Sequence, residues 1–208
     1  MLYPGCRFSP DEKVDLPTGG EAPLVIWNHR WEFDKNPELF FSALEAVDRS
    51  GAKFRLALLG ENYQKVPKAF VAARRRFGHA IQRYGYLPSR EEYLSWLRRG
   101  GIVISTADQE NFGISVVEAV RHGCFPLLPR KLSYPELIPE ELHEDVLFGD
   151  LEELVHKLSR LLEDLRQAKP RVLDKIERLA LSMNRFSWTN LIQRYDEELE
   201  RLSRMRSS

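Results

Sequence analysis

The sequence lacks several features that would assign it to a specialised class of protein. Its two cysteines, Cys6 and Cys124, are far apart and show no metal-ligand spacing, so it predicts neither a disulfide framework nor a zinc site. Acidic and basic residues number 31 each, so the net charge indicates no nucleic-acid or membrane partner. Any such partner would have to bind a local patch of charge. Apolar runs are too short to cross a bilayer, and the N-terminus lacks the pattern of a signal peptide. We therefore expect a soluble, cytoplasmic protein.

What the sequence contains is a regular alternation of short apolar runs with amphipathic segments. The predicted strands are PLVIWN, FRLALLG, AIQRYGYL, GIVIST, CFPLLP and DVLFG, with helices between most of them. Ser89 and Glu92 are typical of a capping box at the start of one helix, and beyond Asp150 the pattern is helical. Such alternation predicts an α/β fold: a doubly wound, mostly parallel sheet with extra C-terminal helices.

Ligands of such sheets bind at the carboxyl ends of the strands, which directs attention to two loops. Arg30 and Lys35 follow the first predicted strand, where a guanidinium and an ammonium could together hold a diphosphate; two ordinary surface cations would look the same. A helix start near Gly113, Ile114 and Ser115 offers backbone N–H groups and a helix dipole to an anion.

Two carboxylates flank this helix start. Glu110 precedes it and Glu118 lies eight positions later, within the helix. They could cap the helix and face solvent, or they could bind the hydroxyl groups of a ligand. Taken alone, surface charge is the simpler interpretation of Glu118, since glutamate is usually exposed. His29 is interpreted as a packed loop residue rather than a phosphate donor.

Taken together and in order, these motifs resemble the retaining glycosyltransferases of family 4, which have the GT-B architecture. Glu110 and Glu118 match the E-x7-E pattern, Arg30 and Lys35 match R-x4-K, and GYLPSREEYLSWL and FSW match a loop with its helix and a C-terminal motif. Within that family, WNHRWEFDKNPELFF and VISTADQENFGISVVEAVRHGCFPL are more similar to the tRNA-queuosine mannosyltransferase group.

The resemblance implies roles for individual residues. Arg30 and Lys35 would hold the diphosphate of a sugar nucleotide, Glu118 would bind the ribose hydroxyls, and Glu110 would orient the donor sugar. Backbone groups at the helix start would assist Glu110, and two loops would lie near the base. The implied donor-binding residues besides Glu118 are Phe112, Gly113, Ile114 and Ser115 at the helix start, and Gly60, Tyr86 and Leu87 in the loops.

The resemblance also implies substrates and partners. The donor would be GDP-mannose, the acceptor queuosine in tRNA, and no metal or other cofactor would be needed. A cluster of arginines could contact the tRNA, although cations in the last turn of a helix would explain it equally well. The cluster consists of Arg74, Arg75, Arg76 and Arg83.

The expected domain organisation follows from the same resemblance. Residues 1–22 would be a linker from an N-terminal acceptor-binding domain that this chain does not contain, residues 23–185 the Rossmann-like nucleotide-sugar-binding domain, and residues 186–208 a crossover helix. The chain alone would then bind donor and transfer little or nothing. Two alternatives remain: a family 4 domain with another donor and a lipid or polysaccharide acceptor, and a nucleotide-binding module without catalysis.

Overall fold

A single parallel sheet forms the centre of the molecule, for which a computed structural model describes residues 3–60 and 66–206. The sheet has the order β3-β2-β1-β4-β5-β6, and all described strand pairs are parallel. This confirms the predicted doubly wound α/β fold. The strands are β1 (Leu24–Trp27), β2 (Arg55–Leu58), β3 (Ile81–Tyr84), β4 (Ile102–Ile104), β5 (Phe125–Pro129) and β6 (Leu147–Phe148).

Helices connect these strands and follow the last one. The helices of the described chain are α1 (Pro37–Arg49), α2 (Lys68–Arg76), α3 (Arg90–Arg99), α4 (Ile114–Arg121), α5 (Tyr134–Leu137), α6 (His143–Val146), α7 (Leu151–Arg166), α8 (Pro170–Ser182) and α9 (Trp188–Arg206). Short 3-10 turns cover Phe33–Lys35, Glu140–Leu142 and Met183–Phe186. In the described chain, no helix combines the length and the apolar character that a membrane span requires.

Local sequence signals explain where helices α1 and α3 begin. Asn36 adopts a left-handed conformation, and its side chain accepts from the Leu39 N–H, while Pro37 fills the first helical position of α1. Ser89 caps α3 by accepting from the Glu92 N–H at 3.3 Å, as the sequence predicts.

The apolar strands lie in a core that continues on both faces of the sheet. All four residues of β1 and all five of β5 are buried. On one face, Trp27 packs against Phe40 of α1 and Phe70 of α2, with ring centroids 4.7 and 5.9 Å away. This packing fixes the end of β1, from which the first loop of the site begins.

The N-terminal arm, residues 3–22, packs along the domain rather than away from it. Cys6 forms an isolated parallel bridge with Ser187 and is bonded through its backbone to Phe186 and Trp188, so the arm lies beside the start of α9. Farther along the arm, the guanidinium of Arg121, which is 1% exposed, donates to three arm carbonyls. These are the carbonyls of Ser9, Pro10 and Glu12, at 2.6–3.1 Å.

Candidate functional site

The strand order reverses between β1 and β4, and the loops that follow these two strands are joined at the carboxyl edge of the sheet. The Asp34 carbonyl accepts from the Asp108 N–H at 2.8 Å, and the Thr106 hydroxyl donates to the Lys35 carbonyl at 2.8 Å. A reversal of strand order opens a crevice in which ligands of open α/β sheets bind. The two loops highlighted by the sequence therefore form one wall of such a crevice.

Lys35 is buried at this junction. The residue is 7% exposed, and its ammonium lies 2.6 Å from the Gln109 carbonyl, 3.1 Å from an Asp34 oxygen and 3.5 Å from Glu110 Oε2. A cation held by two carboxylates and a carbonyl has a fixed position, which suits a group that must place positive charge at one point. The structure thus brings Lys35 and Glu110 together across 75 residues of sequence.

Glu110 is a helix cap as well as an ion-pair partner. Its Oε1 accepts from the N–H groups of Asn111, Phe112 and Gly113 at 3.1–3.4 Å. The N–H groups of Phe112 and Gly113 are therefore used within the protein. Of the N–H groups that the sequence analysis proposed for the ligand, those of Ile114 and Ser115 are left without a protein partner among the described residues.

The backbone at this helix start has little room for larger residues. Gly113 has a φ of 92°, a conformation that favours glycine, and a Cβ there would lie 3.3 Å from the Tyr134 ring. The side chain of Phe112 packs against the rings of Tyr3 and Phe186, which also contact each other, so the Phe112 ring belongs to the packing of the domain. These contacts hold the first turn of α4 at the crevice.

Glu118, in the middle of α4, is buried rather than exposed. The residue is 7% exposed, and its Oε1 accepts from a terminal guanidinium nitrogen of Arg90 at 2.8 Å. The same nitrogen donates to the Arg7 carbonyl at 2.9 Å. A buried carboxylate requires a partner of this kind, and the interpretation of Glu118 as solvent-exposed surface charge is wrong.

The residues that follow β1 bind to the start of α4. Asn28 donates from its side-chain nitrogen to the Ser115 carbonyl at 2.7 Å and to the Tyr93 hydroxyl at 3.1 Å. His29 is buried, with its Nδ1 3.4 Å from the Ser115 hydroxyl, and burial lowers the pKa of His29 to about 4. The imidazole is thus neutral at pH 7, which agrees with its interpretation as a packed residue.

A cavity of about 380 Å³ opens beside these residues, at the carboxyl ends of β1, β2 and β3. Its lining includes four of the residues expected to bind the donor, together with side chains that the sequence analysis did not select. The expected ones are Arg30, Gly60, Tyr86 and Leu87; the others include Asn28, Arg90 and Tyr93. Residues 61–65, which follow Gly60 in one of the two loops expected near the base, lie outside the described residues.

Arg30 and Lys35 occupy different environments. The Arg30 side chain is 55% exposed, and its nearest carboxylate is that of Glu32 at 3.2 Å. Because the Arg30 side chain is exposed and that of Lys35 is buried among its partners, Arg30 has more room than Lys35 to follow an incoming anion.

The arginine cluster lies on the neighbouring β3 side and is partly engaged within the protein. Arg76 pairs with Asp48 at 3.1 Å, and the Arg74 guanidinium lies 5.1 Å from the ring centroid of Tyr84. Arg83 pairs with Glu92 at 3.6 Å and donates to the Tyr86 carbonyl. Arg75 is exposed. Within residues 3–60 and 66–206, no group of three or more His, Cys, Asp or Glu side chains could hold a metal ion.

Sequence reasoning missed Asn28, Arg90 and Tyr93. Asn28 had a signal, since a polar residue directly after a buried parallel strand lies at the ligand-binding edge. Arg90 and Tyr93 lie within the matched stretch GYLPSREEYLSWL, but nothing in the local sequence marks them as ligand-facing, since they follow the cap of a helix and look like ordinary surface positions. Their contacts join segments 65 and 28 residues apart, which only the fold brings together.

Comparison with known proteins gives one family and several relatives. Residues 9–178 match the family described as glycosyl transferases group 1. The tRNA-queuosine alpha-mannosyltransferase of Drosophila melanogaster is 44% identical over 117 residues, which are 56% of this chain and 31% of that protein. Sulfoquinovosyl transferase SQD2 of Arabidopsis thaliana is 28% identical over 166 residues, 76% of this chain and 30% of that protein. The chain spans less than a third of either relative.

Solved structures show the same fold at low sequence identity. Sucrose-phosphate synthase from Thermosynechococcus elongatus is similar with a TM-score of 0.72 and 16% identity, covering 89% of this chain and 47% of that one. The catalytic domain of cholesterol-alpha-glucosyltransferase from Helicobacter pylori is similar with a TM-score of 0.59 and 19% identity, covering 77% of this chain and 98% of that one. These likenesses concern the fold alone: a six-stranded parallel sheet with flanking helices, of the Rossmann-like kind.

Proposed function

The chain belongs to the glycosyl transferases group 1 family, and from that membership we propose that it binds the sugar nucleotide of a retaining mannosyltransferase. The donor is GDP-mannose, and the acceptor is queuosine in tRNA. Support for the mannose and the acceptor comes from the 44% identity with the Drosophila melanogaster tRNA-queuosine alpha-mannosyltransferase.

The observation that carries the proposal is the arrangement of charge around the crevice. Lys35 is held beside Glu110, and Arg30 lies at the mouth of the adjacent cavity. Two cations of this kind can bind a diphosphate and stabilise the charge that develops on it as the sugar leaves. The unpartnered N–H groups of Ile114 and Ser115 lie at the positive end of the α4 dipole and can also bind the diphosphate. We assign the diphosphate to this region.

The remaining parts of the donor fit the neighbouring groups. Glu118, next to the cavity wall, is assigned to the ribose hydroxyls, and Glu110 to the donor sugar. The cavity between the loops at Gly60 and at Tyr86 and Leu87 is assigned to the base. In this arrangement Arg30, Lys35 and a helix start supply the electrostatic stabilisation, so the proposed mechanism uses no metal.

For the acceptor, we propose that the arginine cluster contacts the tRNA backbone. Arg75 is exposed and Arg74 lies against an aromatic ring, so both can face a phosphate without breaking an ion pair. Replacing Arg74, Arg75 and Arg76 by alanine should weaken tRNA binding and reduce the slope of log affinity against log salt, by about 0.9 for each phosphate that is no longer neutralised. Unchanged affinity and slope would rule this interaction out.

A second candidate is the transfer of a different sugar. It is favoured by the match to sulfoquinovosyl transferase SQD2, which extends over 76% of this chain. A different sugar nucleotide would use the same diphosphate and ribose contacts, and the two candidates differ in the base and sugar that they bind.

Thermal unfolding with a panel of nucleotide sugars tests the proposal. A ligand present at a hundred times its dissociation constant stabilises the folded chain by about 2.7 kcal/mol. We expect a rise in melting temperature with GDP-mannose and none with UDP-sugars. The reverse pattern supports the second candidate, and no shift with any nucleotide sugar would refute donor binding. Lys35→Met should abolish the shift.

A further inference from the structure

Arg90 joins Glu118 of α4 to the N-terminal arm through a single guanidinium nitrogen. This nitrogen donates to Glu118 Oε1 at 2.8 Å and to the Arg7 carbonyl at 2.9 Å. The Arg7 carbonyl belongs to the backbone, so it holds the Arg90 guanidinium in place whatever rotamer the Glu118 side chain adopts. Arg90 is therefore an anchor for the carboxylate as well as its counter-ion.

The arrangement leaves one carboxylate oxygen for a ligand. Arg90 occupies Oε1 of Glu118, whereas Oε2 accepts no hydrogen bond from any described residue. The Glu118 side chain is only 10% exposed, so water cannot surround it, and its rotamer is set by the partner on Oε1. The Arg90 side chain is 48% exposed and lines the cavity, so a ligand in the cavity meets Arg90, whose guanidinium lies 2.8 Å from Glu118.

We propose that Arg90 is a positioning residue that holds the Glu118 carboxylate in one orientation, with Oε2 directed to the ribose hydroxyls of the donor. The inference rests on the proposed function, because it presumes that Glu118 binds a ribose. It gives a role to a residue for which the resemblance implied none, on a different helix from Glu118, and it makes selection of ribose over deoxyribose depend on Arg90.

Discrimination between ribose and dideoxyribose is the measurement that isolates this role. We would titrate the chain calorimetrically with GDP and with 2′,3′-dideoxy-GDP, and with the two uridine counterparts. A hydrogen bond between a hydroxyl and a carboxylate strengthens binding by roughly tenfold or more, so the wild-type chain should prefer the ribonucleotide by at least that factor. In Arg90→Met the preference should fall by about tenfold, chiefly through weaker ribonucleotide binding. Arg90→Lys should restore part of it, since it keeps the charge but loses the planar fork.

Arg98→Met is the matched control. Arg98 lies on the same helix, donates to Glu12 of the same arm at 2.8 Å and stands outside the cavity. Its variant should keep the full ribose preference, and the ligand-free Arg90→Met and Arg98→Met chains should unfold at similar temperatures. In a Glu118→Gln background, Arg90→Met should cause no further loss of preference, because both changes remove one coupled contact.

The outcomes separate the inference from the function on which it rests. A full ribose preference in Arg90→Met overturns the role of Arg90 and leaves the proposed function standing. Equal binding of both sugars by the wild-type chain overturns the assignment of Glu118, and the inference with it. Absence of nucleoside diphosphate binding by the wild-type chain overturns the proposed function itself.

Discussion

At the scale of single residues, Glu110 combines a structural role with a position suited to chemistry. One of its oxygens accepts three backbone N–H groups at the start of α4, and the other faces the Lys35 ammonium at 3.5 Å. The sequence offered helix capping and ligand binding as competing interpretations. The geometry makes the cap the means by which the carboxylate is held at the crevice, so Glu110 can be rigid before a donor arrives.

His29 makes stability depend on pH. Its pKa is lowered from 6.5 to about 4 because burial removes the hydration that the charged ring needs. Between these values the unfolded chain binds a proton that the folded chain does not, so stability is fully present above pH 6.5 and is lost as the pH falls. The loss from this group should approach about 1.4 kcal/mol per pH unit. Urea unfolding at several pH values from 7.5 to 4.5 measures it.

Two variants separate His29 from other groups that titrate in acid. His29→Gln removes the buried imidazole, so its stability should fall less steeply with pH than that of the wild-type chain. His79→Gln, which replaces an exposed imidazole, is the matched control variant. Identical slopes for His29→Gln and the wild-type chain would contradict the assignment.

Gly60 is required by close packing between the ends of β1 and β2. A Cβ at this position would lie 2.2 Å from the His29 carbonyl oxygen and 2.8 Å from the Trp31 ring. Gly60→Ala must therefore displace backbone, and we expect it to lower the free energy of unfolding by about 1–3 kcal/mol. Denaturant unfolding measures the change. Gly149→Ala is the control, since its nearest neighbour is a Glu153 side-chain oxygen at 3.5 Å; equal losses would refute the packing argument.

At the scale of elements, the sequence was sufficient to predict the sheet and the longer helices, whereas the four-residue helices α5 and α6 were not predicted. Buried parallel strands such as β1 and β5 are continuous apolar runs, and Ser89 and Pro37 mark helix starts, so local signals and tertiary packing agree. The alternation of strand and helix, with its right-handed crossovers, then leaves few possible topologies. The predicted Arg30, Gly60, Tyr86 and Leu87 meet at one cavity for the same reason, since each follows a strand of the sheet.

The site's internal contacts could not be predicted in this way. The partner of Glu118 is Arg90, from a different helix, and the arm carbonyls bound to Arg121 come from more than a hundred residues away. Neither contact has a local pattern, because each depends on how two packed elements are rotated against each other. The arm looked like a linker for a related reason: its Pro- and Gly-containing sequence carries no periodicity, and backbone carbonyls give no sequence signal.

Arg121 should hold the N-terminal arm against α4. Its buried guanidinium donates to the Ser9, Pro10 and Glu12 carbonyls, and Arg121→Met would remove these bonds while keeping most of the apolar stem. We expect a loss of roughly 3 kcal/mol in unfolding free energy, together with faster amide exchange within residues 3–22. Arg178→Met, which breaks an exposed pair with Glu141, should cost less than about 1 kcal/mol. Slow exchange in the Arg121→Met arm would contradict this role.

At the scale of the whole molecule, all the groups proposed to bind the donor lie on one edge of one sheet. The sucrose-phosphate synthase structure that shares this fold is about twice as long as the part that corresponds to this chain, which covers 47% of it. We propose that residues 1–208 supply the donor half of an active site, and that the reacting hydroxyl of the acceptor is positioned by groups outside them. Donor binding and sugar transfer should then be separable in this chain.

The separation can be measured directly. Incubated with GDP-mannose and queuosine-containing tRNA, the chain should be stabilised by the donor yet yield no mannosylated nucleoside by mass spectrometry of the digested tRNA. The reason is geometric: transfer requires the acceptor hydroxyl within about 3–3.5 Å of the sugar carbon, and a donor held on one open edge leaves that hydroxyl unpositioned. The Drosophila melanogaster tRNA-queuosine alpha-mannosyltransferase is the positive control for transfer. Mannosylated product from the chain alone would mean that its own residues position the acceptor, and the arginine cluster beside the cavity would then be the first surface to mutate.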